Sequence, residues 1–82
     1  MVGNEQLAGI LGKHDELKKL ANIATDMELS SKMRTQAVNL LGEMANHESL
    51  LVLLNLAAND KLDIDERDLA LKRAREIVKK GQ

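Results

Sequence analysis

The chain has 82 residues, 44% of them apolar and 30% charged, with a net charge of −1, the size and balance of one globular domain rather than of a disordered segment. It has no cysteine, which excludes disulfides, thiolate metal sites and thiol chemistry. It also has no Phe, Trp or Tyr, so it offers no platform for stacking unpaired bases.

Apolar spacing and capping residues predict helices near residues 4–12, 14–25, 31–45, 47–59 and 64–80, and no proline interrupts any of them. The first is short and carries Leu7 and Gly9. The second opens at His14. Ser30 or Ser31 can cap the third, whose expected core stripe is Met33, Ala37, Leu40, Leu41 and Met44. Asn46 can cap the fourth. Asp63 followed by Glu66 is a capping-box pattern for the fifth, which presents Ala70, Ala74 and Ile77 and is followed by Gly81.

Sliding the chain on itself by 33 positions aligns residues 14–46 with 47–79 without a gap. His14 meets His47, Leu17 meets Leu50, Leu20 meets Leu53, Asn22 meets Asn55 and Ala24 meets Ala57. Leu29 meets Leu62, Arg34 meets Arg67, Ala37 meets Ala70 and Glu43 meets Glu76. These nine identities stand against roughly two expected by chance, the mark of a repeat architecture. Upstream, Leu7 and Gly9 fall opposite Leu40 and Gly42, so residues 4–12 read as the second helix of a truncated preceding unit.

Within residues 33–60, Met33, Arg34, Ala37, Leu41, Gly42, Leu50, Leu53, Leu54 and Asp60 stand at places that resemble the HEAT-like repeat of armadillo-type solenoids and phycobilisome-lyase-related proteins. Glu66 replaces the apolar residue that this pattern has before Arg67, and the proline after the Asp is missing in both copies. The resemblance implies an all-α fold, a short right-handed α-solenoid of about five antiparallel helices in a single domain over residues 1–82. Residues 4–12 would be a half repeat, 14–46 repeat 1 and 47–79 repeat 2. Helices 14–25 and 47–59 would be the outer layer; 4–12, 31–45 and 64–80 would line the concave side, where such solenoids hold partners. It further implies that Arg34 pairs with Asp26, and Arg67 with Asp60.

The expected function is a non-enzymatic protein–protein interaction or assembly module without cofactor or metal. His14 and His47 occupy equivalent repeat positions, which neighbouring helices hold about 8–10 Å apart, too far to share one zinc. The acidic run Asp60, Asp63, Asp65 and Glu66 has neither the glycine nor the final glutamate of a calcium loop and reads as helix capping. Gly9 and Gly12 follow no strand, so they form no phosphate loop.

Two candidate surfaces follow from helical geometry. On the concave side, Thr35, Asn39, Gly42 and Asn46 of one helix and Asp68, Lys72, Arg75 and Lys79 of the next form continuous lines, suited to an acidic peptide; the alternative is a solvated face. At the C-terminal end, Leu51, Val52, Leu71 and Val78 lack the polar cap that closes a solenoid, and self-association as a symmetric dimer is expected. A compact bundle burying them within one chain is the alternative. Charge is unevenly spread: residues 1–66 carry six basic and eleven acidic side chains, residues 67–82 six basic and two acidic. Helix-dipole compensation accounts for this, and a polyanion or nucleic-acid backbone bound by the last helix is the second functional reading, disfavoured by the overall acidity. The longest apolar run, Leu50 to Leu54, is too short to span a bilayer, and the N-terminus lacks a basic stretch followed by an apolar one. A cytoplasmic location without membrane contact is therefore expected.

Overall fold

A computed structural model describes residues 15–81, and over them every regular element is a helix. They are α1 over 15–25, α2 over Ser31–Met44, α3 over His47–Ala57 and α4 over Ile64–Lys80. The expected helix over 4–12 and the residue His14 lie outside the described residues.

Side chains that satisfy orphan backbone groups set the helix starts. The Ser30 hydroxyl accepts from the Met33 N–H at 3.2 Å. Asn46 Oδ1 accepts from the Ser49 N–H at 2.7 Å while Ser49 Oγ accepts from the Asn46 N–H at 3.0 Å, a reciprocal capping box. The box expected between Asp63 and Glu66 does not form: Asp63 is the N-cap of α4 but makes no capping hydrogen bond. The two carboxylates face Arg34 instead. Helix ends also differ from expectation. Gly81 closes α4 in right-handed conformation (φ −74°), whereas the left-handed residue is Ala45 at the end of α2, with φ 49°.

The turns after α1 and α3 share one hydrogen-bond pattern at positions 33 residues apart. Asp26 Oδ1 accepts from the Glu28 N–H and Asn59 Oδ1 from the Lys61 N–H, both at 3.0 Å. The Asp26 and Asn59 N–H groups donate to the carbonyls of Ile23 and Leu56, and the Leu29 and Leu62 N–H groups donate to those of Asp26 and Asn59. Short polar side chains that fold back on their own backbone favour such turns, and Asp and Asn serve equally.

The core joins Leu17, Leu20 and Ala24 of α1, Ala37, Val38 and Leu41 of α2, Leu53 and Leu56 of α3, Leu62 of the last turn, and Ala70 and Ala74 of α4. α4 packs against both α2 and α3, and α2 against α3. In α4 the expected face is present, with Ala70 and Ala74 buried and Ile77 half-buried. α2 departs from expectation. Ala37 and Leu41 are buried and Met44 partly so, but Met33 (47% exposed) and Leu40 (48%) face outward, and Arg34 and Val38 are buried in their stead. At 100° per residue the buried arc is rotated by roughly 65° from the expected one. The cause is Arg34, whose guanidinium is hidden because carboxylates meet it.

Candidate functional site

Three polar or apolar groupings stand out among the described residues. The first is buried. Arg34 Nε donates to Glu66 Oε1 at 2.9 Å, Nη2 to Asp63 Oδ2 at 3.0 Å and Nη1 to the Leu29 carbonyl at 2.6 Å. Arg34 and Glu66 are almost fully buried, and Glu66 Oε2 has no hydrogen-bond partner. A buried guanidinium is tolerable only where its fork is met in this way. The expected pairing of Arg34 with Asp26 is thus replaced by one that ties the first turn of α2 to the first turn of α4. Arg67 does not repeat it; its Nε donates to the Ala57 carbonyl at 3.1 Å. Glu66, which stands where the resembled pattern has an apolar residue, is one of the two carboxylates that meet Arg34.

The second grouping is the expected concave line, and much of its polar capacity is used within the chain. Asn39 Oδ1 accepts from Arg73 Nε at 3.1 Å, and Arg73 Nη1 donates to Glu76 Oε1 at 2.8 Å. The Arg73 side chain lies across Gly42, where an added Cβ would stand 3.0 Å from its Nε. The Thr35 hydroxyl donates back to the Ser31 and Lys32 carbonyls, and Asn46 caps α3. The hydrogen bond from Arg73 holds the Glu76 carboxyl below its ordinary value; desolvation opposes it, and the charges of Arg73, Lys72 and Lys80 add to the lowering. Lys72, Arg75 and Lys79, by contrast, are exposed on α4.

The third grouping is the C-terminal end. Leu51 and Leu54 of α3 and Leu71 and Val78 of α4 are each between 36% and 48% exposed. Leu54, Leu71, Ala74 and Val78 floor an open hollow of about 360 Å³, and Arg75 and Lys79 rim it. Val52 does not belong to this face as expected; it packs against the core. Leu54 does belong, and was hidden in the sequence by the unbroken run Leu50 to Leu54, where only helical angle separates inner from outer positions. Ile64, the most exposed large apolar side chain among the described residues, stands on α4 two turns before Leu71.

No helix among the described residues is long and apolar enough to cross a membrane, and no cluster of three or more His, Cys, Asp or Glu among them could hold a metal ion. Comparison of the chain with family models, curated proteins and solved structures gives no match.

Proposed function

We propose that the chain is a non-enzymatic protein–protein interaction or assembly module, a short HEAT-like α-solenoid whose open α3/α4 end takes the partner. The observation that carries this reading is the open apolar hollow of Leu54, Leu71, Ala74 and Val78, half in water and bordered by Arg75 and Lys79, with Leu51 exposed one turn before Leu54 on α3. A contiguous apolar surface with a polar rim is the ordinary anatomy of an interface. The rim cations favour a partner carrying negative charge at its edge, an effect on association rate that salt weakens.

The two turns with matching hydrogen bonds support the repeat, as does the packing of α2 beside α4. The same register gives the exposed side of α2 a purpose. Met33 and Leu40 correspond, 33 residues on, to Glu66 and Arg73, which are the residues α4 turns toward α2. That side of α2 is then where a preceding inner helix, the half repeat expected over 4–12, would pack.

Affinity capture from the source cell with wild-type chain and with Leu71→Glu tests the reading. Proteins held by the wild type should be lost with Leu71→Glu while the helical signal and melting temperature stay within a few degrees. Identical retained sets from the two baits would move the docking site off this face.

A further inference from the structure

The exposed side of α4 carries a pattern that its apolar content alone does not explain. Ile64, Asp68, Leu71, Arg75 and Val78 are separated by steps of four, three, four and three, the spacing of a coiled-coil seam. All five are exposed, Ile64 to 70%. The apolar members stand at the centre and the two ends. Between them lie one acid toward the N-terminus and one base toward the C-terminus. Among the described residues neither Asp68 nor Arg75 has an ion-pair partner.

Such a stripe is complementary to its own reverse. Ile64 and Val78 stand seven residues either side of Leu71, about 10 Å along the axis at 1.5 Å per residue. Asp68 and Arg75 stand three before and four after it, a mismatch of one residue. We propose that the occupant of the α3/α4 face is a second copy of this chain, the two α4 helices crossing antiparallel about a two-fold axis at Leu71. Ile64 then meets Val78 of the partner subunit, and Asp68 meets Arg75 of the partner subunit, with the reciprocal pairs on the other side. Leu51 and Leu54 widen the apolar floor beside the seam. A parallel crossing would set Asp68 against its own kind and Arg75 likewise, so charge selects the antiparallel one. Polar residues within a seam commonly set orientation and register in this way. The face is isologous, as a closed two-fold dimer requires.

The inference rests on the reading of this end as the docking face, and the test separates the two. Sedimentation of the full chain over a range of concentrations, at low and at high salt, reads the dimer Kd. Wild type should dimerise, more weakly as salt rises. Asp68→Arg and Arg75→Asp, each alone, put like charges opposite one another twice per dimer and should raise Kd by about tenfold or more. The double variant Asp68→Arg/Arg75→Asp reverses the pairs and should return Kd to near the wild-type value. An equimolar mixture of the two single variants should form a heterodimer. Both positions are exposed, so melting curves of all variants should overlay when monomeric. A wild-type chain that stays monomeric at every concentration overturns the proposal, as do single variants with unchanged Kd or a double variant as weak as the singles. If the chain is monomeric yet Leu71→Glu still loses captured proteins, the self-pairing falls and the docking face stands with a different occupant.

Discussion

At the scale of single residues, Arg34 and Glu66 show what the sequence could and could not display. Arg34 was recognisable as a position that Arg67 matches in the 33-residue register, and Glu66 as a departure from an apolar pattern. That the two meet could not be read, because they belong to different helices 32 residues apart and nothing local links them. Removing one partner of a buried pair leaves the other charge uncompensated, so Arg34→Ala should cost about 3–5 kcal/mol by denaturant unfolding. Replacing both, as Arg34→Met with Glu66→Leu, should recover most of that loss, because apolar groups of similar volume suit the site. A double variant no more stable than Arg34→Ala would mean that the guanidinium's contacts with Leu29 and Asp63 dominate. Ala45 offers an opposite case. A left-handed alanine costs about 1–2 kcal/mol, partly offset by glycine's greater freedom when unfolded. Ala45→Gly should therefore raise stability by about 0.5–1 kcal/mol, and a loss of stability would show that this turn makes no such demand.

At the scale of elements, helix type, number and order over residues 15–81 were legible from spacing and caps, and the bounds of α2 and α4 differ from expectation by a residue at most. The inward face of α2 was not, because the stripe was drawn through its apolar residues alone. A buried arginine and its ion pairs turned the helix, and Met33 and Leu40 came to the surface. The residues on which the expected and observed faces agree are the ones to test. Leu41 and Leu53 are fully buried, and Leu41→Ala or Leu53→Ala should each cost about 2–5 kcal/mol, the usual range for such a cavity. A cost below about 1 kcal/mol at either would place it outside a packed core. The two turns give a comparison internal to the chain. Asp26→Ala and Asn59→Ala each delete one exposed side-chain-to-backbone hydrogen bond in the same geometry, so each should cost about 0.5–1.5 kcal/mol. Widely unequal costs would show that the turns match in form without sharing an energetic role.

At the scale of the whole molecule, the sequence displayed an apolar end of the fold through Leu51, Val52, Leu71 and Val78, which no polar cap covers. Three of those four, Leu51, Leu71 and Val78, are exposed, whereas Val52 packs against the core. The seam along α4 was missed: Ile64 sits at a helix start, where it reads as a boundary residue, and Asp68 and Arg75 were drawn as part of a groove. The absence of cysteine makes the most direct test simple, since a single introduced thiol reports its own surroundings. On mild oxidation, Leu71→Cys should convert rapidly to a disulfide-linked dimer at concentrations where wild type associates, because the two-fold axis brings the two thiols together. Lys18→Cys, exposed on α1, should remain monomeric under the same conditions. Equal rates of cross-linking for the two variants, or none at Leu71→Cys while Lys18→Cys reacts, would contradict an interface centred on the exposed end of α3 and α4.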